Sequence, residues 1–174
     1  LKLCEQLYSC VITGSDQVWN PYWQGQDDSF FLTFMSEAKR VAYAPSIGVT
    51  ELPDEQVRRY QRLLGKLPVL SCRELQGAKL IERLTGQSCK HVVDPVFLLT
   101  QEDWKQFIKP YPAQRYILTY SLAGQTYDVH KQIKACAKQR GCKILDVYNR
   151  SSVHSQFAGI EEFLSLIANA ELFI

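Results

Sequence analysis

Short apolar runs, each ending in a polar, glycine or proline break and each followed by a helical pattern, constrain this chain more than any other feature. Val11-Ile12, Val41-Ala42-Tyr43-Ala44, Val69-Leu70-Ser71-Cys72 and His91-Val92-Val93 are short and mostly β-branched or otherwise apolar, which fits strands and not helices. Between them, Val57, Tyr60, Leu63 and Leu64 recur at helical spacing up to Gly65. Leu75, Ala78, Ile81 and Leu84 mark a second helix face closed by Gly86. Strand–helix units of this size imply parallel sheets with helices on both faces. In such a sheet Val11 and Ile12 form a fully buried strand. Ser29 to Phe34 is aromatic-rich and fits either a strand or a packed loop.

A second series follows. Thr100-Gln101-Glu102-Asp103 resembles a capping box that opens a helix carrying Trp104, Phe107 and Ile108. Pro110-Tyr111-Pro112 is a linker signal. Beyond it come a strand at Tyr116 to Tyr120 and a helix with Val129, Ile133, Cys136 and Ala137 on one face. A strand at Cys142 to Val147 and a helix with Ile160, Phe163, Leu164, Ile167 and Ala168 complete the series. The expected organisation is two α/β domains, 1–111 and 112–174. The opening at Leu1 inside a helical pattern, and the close on Glu171-Leu172-Phe173-Ile174 in a strand pattern, lead us to expect a fragment.

Polar groups that directly follow a parallel strand sit at its carboxyl end, where open α/β sheets bind ligands. Val11-Ile12-Thr13 breaks into Gly14-Ser15-Asp16-Gln17, then Trp19 and the Asn20-Pro21 turn. Gly14 permits close approach, and Ser15, Asp16 and Gln17 offer a hydroxyl, a carboxylate and an amide. The same residues also fit an ordinary turn in which Asp16 caps a following helix. Arg73, after the third strand, is either an anion donor or the partner of Glu74 at a helix start. Ser121 and Gly124 follow the Tyr116–Tyr120 strand, where a helix N-terminus would favour phosphate. Trp19, Trp23 and Trp104 fit buried packing better than sugar stacking. Asp94-Pro95 reads as a strand terminator.

With 46% hydrophobic and 22% charged residues, the chain is that of an ordinary globular protein. A net charge of +2 without basic runs leaves no footprint for nucleic acid or an anionic membrane. The six cysteines show neither a CxxC pair nor zinc-ligand spacing, and several stand in apolar runs, so buried free thiols are expected. No signal peptide or uninterrupted spanning segment stands out, and a cytoplasmic location is expected. No GxGxxG follows any strand, which disfavours a dinucleotide oxidoreductase.

Four motifs in this order resemble the polysaccharide pyruvyl transferase family. They are Gly14-Ser15-Asp16-Gln17-Val18-Trp19-Asn20, Ala42-Tyr43-Ala44-Pro45-Ser46-Ile47-Gly48, Ser71-Cys72-Arg73-Glu74, and Asp94-Pro95-Val96-Phe97-Leu98-Leu99. Trp104, the Tyr116–Tyr120 strand, Glu162-Phe163-Leu164 and Ile167-Ala168-Asn169-Ala170 also match its pattern. Ser46-Ile47-Gly48 stands where the family usually has Ser-Phe-Gly. Family members begin with an earlier strand and continue into a Ser-Phe-His-Gly stretch that supplies a key histidine. Neither His91, His130 nor His154 matches that role by position.

The resemblance implies two Rossmann-like domains of GT-B glycosyltransferase architecture, both incomplete here, with the active site in the cleft between them. The first domain would be the acceptor side and the second the phosphoenolpyruvate side. The implied reaction moves a pyruvyl group from phosphoenolpyruvate onto two sugar hydroxyls as a ketal, with no further cofactor and no metal. Asp16 would be the base or hydroxyl acceptor, and Gly14, Ser15, Gln17, Ser46, Gly48, Arg73, Ser121 and Gly124 would bind substrate. The alternatives are a nucleotide-sugar glycosyltransferase of similar architecture and a noncatalytic remnant of the family.

As a fragment lacking the histidine region, this stretch of chain alone is expected to form no pyruvylated sugar. Phosphate release that depends on both phosphoenolpyruvate and a sugar acceptor would overturn that expectation.

Overall fold

The computed structural model describes residues 2–23, 27–110, 114–121, 126–147 and 159–174. It divides into two compact units, Leu1–Leu99 and Thr100–Ile174, and every strand pair among the described residues is parallel.

The first unit runs α1 (Lys2–Leu7), β1 (Val11–Thr13), β2 (Arg40–Ala42), α2 (Asp54–Leu64), β3 (Ser71–Cys72), α3 (Leu75–Thr85) and β4 (Lys90–His91). β1 pairs with β2 and β3 with β4, and an isolated parallel bridge between Val41 and Val69 links the two pairs. Beyond that bridge the ladder between β2 and β3 passes through a side chain. The buried Ser71 hydroxyl donates to Ala42 O at 2.8 Å and accepts from Ala44 N at 2.9 Å. This satisfies two main-chain groups that would otherwise be buried without partners. All four strands therefore present their carboxyl ends in the same sense.

The core of this unit packs α2 and α3 onto the strands. Trp19, Phe31 and Tyr60 are fully buried. The Trp19 and Phe31 rings stack at 5.8 Å, and Tyr60 meets Phe31 edge-on at 5.2 Å, both favoured aromatic geometries. Tyr60, Leu63 and Leu64 form the buried face of α2, as their spacing predicts.

The α3 stripe is rotated from the expected one. Leu75 is 48% exposed, while Gly77, Ala78, Leu80 and Ile81 face inward. Gly77 sets this orientation, because a Cβ there would lie 2.6 Å from Cys72 Sγ and 2.9 Å from an Ile47 methyl carbon. The helix thus approaches β3 most closely at the residue without a side chain.

Other expectations are corrected. Ile12 is 63% exposed, because β1 is paired on one side only, with β2, among the described residues. Ser29–Phe31 is a 3-10 turn, not a strand, and Leu32 ends it in the left-handed region at φ 57°. Of the six free cysteines, Cys72 and Cys89 are buried and Cys10 is exposed. Burial pushes the Cys72 and Cys89 thiols up to about 12, which keeps them protonated and inert. Trp19 is buried, but Trp23 is 68% exposed.

The second unit runs α4 (Gln101–Lys105), β5 (Tyr116–Thr119), α5 (Tyr127–Arg140), β6 (Lys143–Asp146), α6 (Ile160–Asn169) and β7 (Leu172–Phe173). Its strand order is β6-β5-β7. All four β5 residues are buried, and the Tyr116 hydroxyl donates to Leu166 O at 2.8 Å, fastening α6 to the sheet. The capping box forms: Thr100 Oγ1 accepts from Asp103 N, and Asp103 Oδ2 accepts from Thr100 N. α4 ends at Lys105, before Phe107 and Ile108. Tyr111 and Pro112 of the predicted linker lie outside the described residues, as does His154. Among the described residues no helix is long and apolar enough to cross a membrane.

Ser71→Ala should destabilise the first unit by about 1–3 kcal/mol, because it strips the buried Ala44 N–H of its acceptor. Urea unfolding checks this, and an unchanged midpoint would show that the hydroxyl bridge is dispensable.

Candidate functional site

The carboxyl ends of β1, β2, β3 and β4 bring four polar segments of the first unit together. Gly14, at φ 131°, leaves β1 so close to the segment after β2 that a Cβ would lie 1.9 Å from Tyr43 O. No side chain fits there. Reciprocal main-chain bonds then join the two loops, from Ser46 N to Asp16 O at 2.9 Å and from Trp19 N to Ser46 O at 3.2 Å. The segment after β2 is tied in turn to that after β3, by Arg73 N donating to Pro45 O at 3.1 Å.

The centre of the cluster is Asp94, just beyond β4. Its Oδ2 accepts from Ser15 Oγ at 3.1 Å and from Arg73 Nη1 at 2.8 Å, and its Oδ1 caps the 3-10 turn Pro95–Leu98 by accepting from Val96 N at 3.0 Å. The Val96 N–H, then the Arg73 guanidinium and the Ser15 hydroxyl, hold this carboxyl below the usual aspartate range. Glu74 forms a second node. It accepts from the buried Ser46 hydroxyl on Oε1 and from Cys72 Sγ on Oε2 at 3.2 Å. Arg73 stands between the two, with Nε 4.0 Å from Glu74 Oε1. His91 Nε2 lies 3.2 Å from Arg73 O.

Asp16 is exposed, and its Oδ1 accepts from Gln17 N at 2.7 Å in a tight local turn. No helix follows it before Trp23, so the helix-cap alternative does not hold. Among the described residues its other carboxylate oxygen makes no hydrogen bond, and the residue is exposed, which suits an incoming hydroxyl. Gln17 Oε1 accepts from Asn20 Nδ2 at 2.7 Å, and a Cβ on Gly48 would press on both amides, at 2.6 and 2.8 Å. Gly14, Ser15, Asp16, Gln17, Ser46, Gly48 and Arg73 are therefore one neighbourhood. The Ser15, Ser46 and Arg73 side chains are engaged with carboxylates of the protein. Ser121 lies just beyond β5 in the second unit, and Gly124 lies outside the described residues.

Asp94 and Glu74 are members that the pattern of the sequence undersold. Asp94 follows a strand end just as Asp16 does, and that shared position was the available signal. Counting Asp16, Glu74 and Asp94 against Arg73, three carboxylates share this neighbourhood with one guanidinium, a formal balance of two negative charges among these four side chains. Among the described residues no three His, Cys, Asp or Glu side chains are grouped to hold a metal ion.

The family model for polysaccharide pyruvyl transferase matches residues 2–174, and the chain belongs to that family. No curated protein and no solved structure matches the chain significantly.

Asp94→Ala should cost about 1–2 kcal/mol by removing the turn cap, with little added by the partly exposed ion pair to Arg73. The sign with pH follows from the lowered folded-state value. The carboxylate's contribution is complete above the ordinary aspartate value of 3.8 and is lost as pH falls below it, through the folded-state value. Melting curves of the two proteins should therefore differ at neutral pH and converge in acid. A difference that persists unchanged in strong acid would refute the assignment.

Proposed function

We propose that this member of the family transfers a pyruvyl group from phosphoenolpyruvate to two hydroxyls of one sugar in a polysaccharide or its precursor, and that its first unit serves the acceptor. Family membership supports a transferase with a sugar or polysaccharide acceptor. The observation that carries the finer reading is the acidic cluster at four strand ends. Two net negative charges repel a donor bearing both phosphate and carboxylate, whereas carboxylates accept hydrogen bonds from sugar hydroxyls.

In the reaction, each acceptor hydroxyl forms one C–O bond to the central carbon of the enol. The methylene gains a proton and becomes a methyl group, and the C–O bond to phosphate breaks. Two hydroxyl protons are released; one balances the proton taken up by the methylene, and the other leaves with phosphate. No step as written calls for a metal or a nicotinamide.

Asp16 takes the hydroxyl proton or polarises the O–H bond, since it holds an unengaged carboxylate oxygen at the surface of the cluster. Ser15, Arg73 and Asp94 hold the loop that carries it. On this reading Arg73 positions Asp94 and does not clamp the donor.

The second unit then takes the donor. In its sheet the first strand, β5, is flanked by the second and third, β6 and β7, which is how doubly wound sheets begin. Ser121 follows β5, and α5 starts at Tyr127 after a Thr126 cap, so the N-terminus of α5 is the place we assign to the phosphate. Two Rossmann-like units of GT-B type are the architecture that goes with this assignment.

The test is phosphate release that requires both phosphoenolpyruvate and a sugar acceptor, measured in the intact enzyme and its Asp16→Asn variant. The variant should lose roughly 10²–10⁴ in kcat with its melting temperature unchanged. Near-normal turnover in the folded variant would remove Asp16 from the mechanism.

A further inference from the structure

Beside the cluster lies an open groove of about 540 Å³, lined by Tyr22, Gly48, Thr50, Glu51, Glu74 and Gln76. We infer that this groove seats an uncharged pyranose ring of the acceptor, stacked on Tyr22 with its hydroxyls toward Glu74 and Gln76; the inference rests on the pyruvyl transfer reading above.

The first observation is Tyr22 itself. Its side chain is 72% exposed, yet its main chain is fixed. Tyr22 N donates to Asn20 Oδ1 at 2.9 Å, and Asn20, itself buried, donates from Nδ2 to Gln17 Oε1 at 2.7 Å. One asparagine thus links the Tyr22 main chain to the loop of Asp16. The exposed ring offers an electron-rich face to the C–H face of a pyranose and a hydroxyl at its tip.

The second observation is the lining. Among the described residues the groove is lined by two carboxylates, an amide and a threonine hydroxyl, and by no lysine or arginine. Such a lining fits many neutral hydroxyls, which donate to carboxylates and exchange with amides. It disfavours a carboxylate or phosphate on the sugar that enters. Glu74 is anchored by Ser46 and Cys72 but remains a third exposed, so each of its oxygens keeps a lone pair for a ligand. Gly48 lines the groove, and a Cβ there would lie 2.6 Å from Gln17 Oε1 and 2.8 Å from Asn20 Nδ2, so no side chain fits at that position.

The third observation is continuity. A neighbouring groove of about 720 Å³ shares Thr50, Glu51 and Gln76 and continues along α3 past Lys79 and Arg83. A chain of sugars can therefore run on from the ring seated at Tyr22.

Two measurements test this in the intact protein. Ligand-observed NMR, without phosphoenolpyruvate, would use the methyl glycosides of glucose, galactose, mannose and N-acetylglucosamine beside the matching uronates. At least one neutral glycoside should bind, its uronate should bind tenfold or more weakly, and Tyr22→Ala should abolish binding while Tyr22→Trp retains it. In turnover assays Tyr22→Ala should raise KM for the acceptor at least tenfold, with KM for phosphoenolpyruvate unchanged. If phosphoenolpyruvate-dependent turnover persists and Tyr22→Ala leaves the acceptor KM untouched, the groove is not the acceptor site and the transferase reading stands. If glycosides bind at Tyr22 but no sugar supports phosphate release, the groove stands and the reaction is wrong. Equal or tighter binding of uronates would overturn the charge argument and with it the proposal.

Discussion

The burial of Trp19 is the interaction on which the first unit depends. Its indole is fully buried against Phe31, its Nε1 donates to Phe30 O, and its carbonyl accepts from the Tyr60 hydroxyl. Removing an indole from water is worth about 4–6 kcal/mol at the usual area coefficient. That energy is spent three residues from Asp16, in the middle of a loop that would otherwise have no hydrophobic anchor. Polar residues at a strand end are cheap to place and costly to hold still, and here one aromatic side chain does the holding. Burial pushes the Tyr60 hydroxyl up to about 12, so the bond to the Trp19 carbonyl persists across the physiological range.

The strand ends are held to one another in a second way, through one arginine shared by two carboxylates. Arg73 is flanked by Asp94 and Glu74, and each carboxylate has other donors besides. An arginine so engaged fixes geometry more than it offers charge to a ligand. The outward-facing character of the cluster is then set by what is left over, namely the unengaged oxygen of Asp16 and the exposed part of Glu74. These two carboxylates have different kinds of support, a turn within the loop for Asp16 and donors from two strand ends for Glu74.

Much of the fold was legible because the cues were local. The α2 face, the Gly86 and Gly141 helix ends and the Thr100–Asp103 cap depend on residues within a turn or two of each other. The order of four motifs made the family legible as well, and the family match spans residues 2–174. What escaped depends on distant partners. Ile12 looks like a core residue, and only its neighbours in space decide that it is exposed. Leu75 fits the α3 stripe by spacing, but Gly77 against Cys72 turns the helix away from it. Asp94 before a proline looks like punctuation until Ser15 and Arg73 arrive from elsewhere in the chain. Tyr22 is one aromatic among many until the Asn20 amide ties its main chain to the Asp16 loop.

The hydrogen bond from Ser15 to Asp94 joins residues 79 positions apart, close to the full length of the first unit. Contacts of such separation cost loop-closure entropy that local contacts must first repay. During synthesis the glycine-led loop, the serine and the arginine all emerge before the aspartate that unites them. The cluster therefore comes into being only when β4 docks, and a nascent chain that has not yet reached that strand can carry a nearly complete helical core without it. Assembly of the cluster and completion of the unit are one event, so the Ser15–Asp94 contact is a reporter of folding for this unit.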